Sequence, residues 1–296
     1  MPRGLRMRSA AQPRVVCSAG WRLGRARDTA RMPELPEVEL VRRGLAATIV
    51  GRRVEAGEAC WPGTLTTPPV TLARAVIGRR VSGVTRRGKV LIVELDHGWH
   101  LLVHPMMTGQ FVVTEGGRTL FAGGHPSRSM LEPMPNQTTR VVVRLSGDRT
   151  LFFNDARKFG RIRLLDSKGL AADAFLRRLG PDPLGDAFTL EGFRSQLKRH
   201  RRAPIKAVLL NQSVLAGVGN IYADEALHLA RVHPVRLAGG LDGTESRRVH
   251  HAIRRIVALA IGSGGTSVVG DANRPRTQTG YRARARVFGR LCCFRG

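Results

Sequence analysis

A chain of 296 residues is long enough to bury a sizeable core and exceeds what one core usually fills, so two domains are expected. Its 49 Lys+Arg against 22 Asp+Glu leave a formal charge of +27, a field that concentrates polyanions, nucleic acid first, without separating DNA from RNA or an anionic membrane. No apolar run approaches the roughly 18 residues that span a bilayer, and Cys17, Cys60, Cys292 and Cys293 make no disulfide framework, which leaves a soluble intracellular protein with reduced thiols.

Residues 1 to 31 hold eight Arg, no Lys and one acid, Asp28. Such a leader reads as an organelle transit peptide, as a nucleic-acid-binding arm, or as sequence upstream of a true start at Met32, and the last is expected. After Met32, Pro36 sits where a helix can begin, Glu37 and Glu39 fall in its first turn, and Val38, Val41 and Leu45 line one face until Gly51. Residues 70 to 165 then read as strands, with turns at Asp96-His97-Gly98 and Ser146-Gly147-Asp148 and a long loop from Thr114 to Gln137. The Pro/Gly punctuation of "LGPDPLGDAF", residues 179 to 188, marks the domain boundary. Beyond it the hydrophobic period becomes helical, predicting helices over about 189–199, 204–212, 220–231 and 244–261, the last stopped by Gly262. The fold class is therefore α+β, with a β-rich domain over 32–168 and a helical one over 180–270.

Three stretches carry chemistry. "LAGVGNIYADEAL", residues 215 to 227, puts Gly-x-Gly-Asn before a helix, where Asn220 can cap it and the first-turn N–H groups suit one phosphate, although an ordinary tight turn has the same wording. Lys198, Arg199, Arg201, Arg202 and Lys206 lie just upstream and suit a DNA backbone. "TRRGKVLIVEL" sets Lys89 at the mouth of an apolar strand, able to reach a phosphate or donate a proton, or simply to sit solvated at a strand end. "MMTGQF" and "NDARKFG" are loops exposing Met107, Arg157 and Phe159, the apolar and Arg wedges that fill the gap left by a flipped base, or else residues that cap a core.

In this order, "MPELPEVE", "RRGK", "NDARKFG", "LGPDPL" and "GVGNIYADEAL" resemble the formamidopyrimidine-DNA glycosylase family, from Met32 to about Gly289. The resemblance implies an N-terminal β-sandwich with flanking helices, a helix-two-turn-helix domain and a zinc-bound β-hairpin. It implies excision of oxidised purines from damaged double-stranded DNA and cleavage of the abasic site. The nucleophile would be the secondary amine of Pro33, free only if Met32 is the removed initiator; Glu34 would be the acid/base at the sugar, and Lys89 a proton donor in β-elimination. Arg157, Arg202, Lys206, Asn220 and Tyr222 would contact DNA, while Met107, Arg157 and Phe159 would fill the void. No cofactor is needed for this chemistry, and a cytoplasmic monomer without membrane contact is expected, or an organellar one if residues 1 to 31 are a transit peptide.

Two departures from the family follow. Its DNA-contacting His ahead of the strand at 140–145 is Thr138 here, with Arg140 nearby as a substitute. Its zinc finger needs two Cys-x-x-Cys pairs, whereas residues 271 to 296 offer only the adjacent Cys292 and Cys293, a remnant expected to bind no zinc. The rival expectation is a non-catalytic DNA-binding protein decayed from the family, which keeps the basic grip while the extension blocks Pro33.

Overall fold

The computed structural model describes residues 33 to 265, apart from positions 126 and 131. Residues 1–32 and 266–296, the Arg-rich leader and the Cys pair among them, lie outside the described residues.

Helix α1, Leu35–Ile49, forms as its spacing predicts, burying Val38, Val41, Leu45 and Ile49 along one side. It packs on two antiparallel sheets. One has five strands in the order β1-β7-β8-β5-β6, with β1 Val54–Ala59, β5 Gly109–Glu115, β6 Arg118–Gly124, β7 Thr139–Leu145 and β8 Arg149–Asp155. The other has four in the order β2-β3-β4-β9, with β2 Val81–Arg87, β3 Val90–Leu95, β4 Trp99–His104 and β9 Arg161–Asp166. The core between them is built from β-branched and aromatic residues of both inner faces, among them Val84, Leu91, Val93, Val103, Phe111, Val113, Val141 and Phe153.

Two expectations for this half are corrected. Residues 69–76 form helix α2, Pro69–Val76, where strands were expected to begin, with Pro69 opening its first turn. The expected loop from Thr114 to Gln137 contains β6, which pairs with β5 through a tight turn at Gly116 and Gly117, both at positive φ. Glycines at both ends of that short strand imitate loop punctuation.

Short helices α3, Ser167–Ala172, and α4, Ala174–Arg178, lead to the 179–188 segment. Then come α5 Leu190–Arg199, α6 Ile205–Leu210, α7 Asn220–Ala230 and α8 Gly243–Gly262, close to the helices the periodicity predicts. They enclose a second core around Phe193, Leu209, Tyr222, Leu227, Val249 and Ile253. Leu35 of α1 packs on Val257 and Ile261 of α8, so the start of the β domain's first helix is seated on the helical domain. No helix among the described residues is long and apolar enough to cross a membrane.

An ion network locks this junction. Arg86 of β2 donates to Glu39 of α1 at 2.8 Å and to Asp182 of the 179–188 segment at 2.5 Å, and Glu39 also accepts from Arg42 and Arg43, each at 2.9 Å. Burial alone would raise the Glu39 carboxyl, but hydrogen bonds from Arg42, Arg43 and Arg86 outweigh it and hold the group at about 2.

Candidate active site and nucleic-acid interface

Pro33 is buried, and Glu34, 5 % exposed, precedes α1 in an extended conformation. The Glu34 N–H donates to the Glu37 carboxylate at 3.0 Å, while the Glu34 carboxylate crosses to the helical domain. There its two oxygens accept the N–H groups of Gly219 at 2.8 Å, Ile221 at 2.9 Å and Tyr222 at 3.4 Å. The side chain is thus an anionic cap on α7, supplied from 185 residues away in sequence.

This changes the reading of Gly-x-Gly-Asn. The residue preceding α7 is Gly219, not Asn220, and the first-turn N–H groups expected to suit a phosphate already hold the protein's own carboxylate. The glycines serve that approach: a Cβ on Gly219 would lie 2.4 Å from Glu34 Cδ, and one on Gly217, at φ +90°, would lie 2.7 Å from the Leu35 side chain. Leu35 N–H also donates to Gly217 O at 3.0 Å. The Asn220 side chain stays exposed beside the cap.

Lys89 enters from the β domain. The turn between β2 and β3 carries Gly88 at φ +58°, and a Cβ there would sit 3.4 to 3.5 Å from Ala216, Gly217 and Leu179, so the turn touches the loop before α7. Burial lowers the Lys89 ammonium below its ordinary value, while the charges of Glu34 and Glu37 oppose the drop. Burial pushes Glu34 up to about 7, with Glu37 adding to the rise and the Lys89 charge and the Ile221 and Tyr222 N–H groups working against it. A carboxyl poised near neutrality beside a partly desolvated ammonium is suited to moving protons at physiological pH. His104, at the end of β4, was not singled out from sequence; burial and the charges of Lys89 and Arg163 drive it down to about 4, so it borders the site as a neutral ring. Its place beside Lys89 comes from strand pairing, which no local pattern signals.

The two wedge loops meet. Arg157 donates to Met107 Sδ at 3.2 Å and its guanidinium lies 4.8 Å from the Phe159 ring centroid. Phe159 is 43 % exposed, at the tip of the loop as the wedge reading expects. Beneath them Asp155, fully buried, accepts from the backbone N–H of Arg157 at 3.2 Å and of Gly160 at 2.6 Å and from the Thr108 hydroxyl.

A carboxylate bridging two domains onto a helix start, a half-buried Lys whose charge acts on it and a wedge of Met, Arg and Phe agree with what the chain is similar to. Residues 32–162 match the formamidopyrimidine-DNA glycosylase N-terminal domain and residues 179–271 the formamidopyrimidine-DNA glycosylase H2TH domain. The chain belongs to the formamidopyrimidine-DNA glycosylase family. It is 45 % identical over 240 residues to the formamidopyrimidine-DNA glycosylase of Herpetosiphon aurantiacus, covering 80 % of this chain and 81 % of that one. To the Chloroflexus aggregans enzyme of the same name it is 41 % identical over 262 residues, covering 88 % of each. The crystal structure of the MutM (Fpg) protein from Thermus thermophilus superposes with a TM-score of 0.71 at 38 % identity, over 87 % of this chain and 88 % of that one. Lactococcus lactis Fpg in complex with abasic-site DNA gives 0.74 at 30 % identity, over 86 % and 88 %.

Within this glycosylase fold two expected DNA contacts, Tyr222 and Arg140, need correction. Tyr222 is 1 % exposed in the helical core and its hydroxyl donates to Glu37, so its side chain braces the junction and presents no surface to DNA. Lys206 pairs with Asp224 at 2.8 Å, and both side chains stay partly exposed. Arg140, 8 % exposed, donates through Nε to Asp155 O and through Nη1 to Thr139 O, so it braces the wedge loop from within and does not stand in for the family's surface His. Arg202, Lys198 and Arg199 are exposed, as a backbone grip requires. Among the described residues no group of three or more His, Cys, Asp or Glu could hold a metal ion, so the residues present there do not fit a zinc site; Cys292 and Cys293 lie outside them.

Proposed function

We propose that this chain excises oxidised purines, such as 8-oxoguanine and formamidopyrimidines, from damaged duplex DNA and then cleaves the abasic site by β- and δ-elimination. The observation that carries this reading is the meeting of Glu34, the residue next to Pro33, with the charge of Lys89 and the start of α7 at the domain junction. In the mature protein Pro33 would be the first residue, because only an N-terminal proline offers a secondary amine. An α-amino group titrates at about 7.7 to 8.0, so it is partly neutral and nucleophilic at physiological pH. Attack on the sugar C1′ displaces the base; the C1′–O4′ bond then breaks as the ring oxygen takes a proton, which opens the sugar and leaves a charged iminium. That cation draws electrons from the neighbouring C2′–H bond as that proton is lost and the 3′ phosphate departs. Glu34, near neutrality, exchanges the proton at the sugar oxygen, and Lys89 returns a proton during elimination. No cofactor takes part in these steps. The test is strand cleavage of a duplex bearing one 8-oxoguanine; nicking at the lesion supports the reading, and an intact strand with normal binding would instead favour the non-catalytic DNA-binding protein.

Grip and chemistry should separate. Arg202→Ala and Asn220→Ala should weaken binding to damaged and undamaged duplex alike, and the Arg change should lower the slope of log affinity against log salt by about one. Titration of binding at several salt concentrations checks this, and a change in lesion preference at constant affinity would place Asn220 elsewhere. We further propose a monomer acting in the cytoplasm at the nucleoid, and a finger that holds no zinc, because the sequence has no Cys-x-x-Cys pair. Metal analysis of the purified protein should then find well under one zinc per chain, and a chelator should leave thermal unfolding unchanged; one tightly held zinc would contradict it.

A further inference from the structure

We propose that Trp61 is a positioning residue for the wedge loop: by holding the Lys158 ammonium against its indole face, it keeps Arg157 and Phe159 turned outward as a pair. This rests on the repair reading above and adds to it a residue outside both loops. Lys158 sits between the two wedge residues at φ +60°, a left-handed conformation that costs a residue with a Cβ about 1 kcal/mol or more, so something must hold it. Asp155 holds the backbone, accepting from Arg157 N–H and Gly160 N–H through its carboxylate and from Lys158 N–H, at 3.3 Å, through its carbonyl. That fixes the turn but leaves the Lys158 side chain free to swing toward Arg157.

Trp61 answers this. The Lys158 ammonium lies 3.9 Å from the Trp61 ring centroid, well inside the range of a cation–π contact. Trp61 is tied to the same loop from below: its backbone N–H donates to Arg140 O at 3.1 Å, and Arg140 Nε donates to Asp155 O at 2.8 Å. A closed circuit therefore runs from Trp61 through Arg140 and Asp155 to Lys158 and back to Trp61. Two cations in succession would otherwise compete for the Phe159 face; with Lys158 drawn onto Trp61, Arg157 alone lies over Phe159.

The experiment uses the full chain and a duplex carrying one 8-oxoguanine next to 2-aminopurine, whose emission rises when it unstacks. Trp61→Ala should lower both the single-turnover excision rate and the 2-aminopurine amplitude roughly five- to tenfold, since a small misplacement of a positioned group is costly. Trp61→Phe should restore most of both, Lys158→Ala should match Trp61→Ala, and the double variant should be no worse than either single one. Cutting of an abasic site in single-stranded DNA, which needs no wedge, should be unchanged in all of them. Full activity of Trp61→Ala, or additive losses in the double variant, would overturn the proposal. If the unaltered protein fails to cut the duplex, the repair reading fails; the contact itself is still read from the free protein, where Lys158→Ala should change tryptophan emission and an unchanged spectrum would count against it.

Discussion

Replacing Glu34 with Gln should reduce base excision about a hundredfold or more while leaving duplex affinity nearly intact, because proton transfer at the sugar is lost and no surface charge of the grip is touched. The same change should reveal how burial has tuned this carboxyl. Its value rises from 4.5 to about 7 on folding, with burial the largest cause. A group whose folded value is raised favours the folded state fully below 4.5, and that contribution is lost as pH climbs through 7. Gln carries no such slope. Between pH 4 and pH 8.5 the stability of the variant relative to its parent should therefore move by about 3 kcal/mol in the variant's favour. Thermal unfolding across this range checks it, and a variant that loses stability equally at both ends would show that the ionised carboxylate is a net stabiliser of the α7 start.

Removing Arg86 should have the largest effect on stability. Its side chain is 10 % exposed and bridges Glu39 and Asp182, and truncation leaves two carboxylates without their shared cation. Breaking such a pair typically costs about 3 to 5 kcal/mol, and Arg86→Met should fall near the lower figure because Glu39 keeps Arg42 and Arg43. The pH signature is opposite to that of Glu34. Glu39 is held at about 2, below the ordinary 4.5, so its contribution is present above 4.5 and lost as pH falls toward 2. Denaturant unfolding at pH 7 should show the loss, and the gap between Arg86→Met and its parent should narrow in acid. A loss under 1 kcal/mol at pH 7 would mean that the network does not lock the junction.

Local pattern carried much of this architecture. The face of Val38, Val41 and Leu45, the turns around Gly98 and Gly147, and the four helices after residue 189 all stand where period and punctuation put them. Strand β6 and helix α2 were misread because each is short: the glycines around β6 look like loop, and eight residues of α2 are too few for a helical period to declare itself. The sequence shows the candidate residue types and their spacing, but not the contacts they make. Nothing in "GVGNIYADEAL" says that the anion at its helix start is Glu34, and nothing in "NDARKFG" says that Asp155 and Trp61 hold the turn, since those partners meet only after two domains and several strands have assembled. Tyr222 shows the converse error, where a polar residue in a binding motif turned inward to brace Glu37.

If Pro33 acts as a free N-terminal amine, borohydride reduction of the protein in the presence of an abasic duplex should trap the covalent intermediate, because hydride fixes the iminium as a stable amine. Protein beginning at Met32, with that Met removed, should give a protein-DNA adduct that maps to Pro33, whereas protein beginning at Met1 should give little. Equal adduct from both forms without trimming, or an adduct that maps to Lys89, would contradict the account.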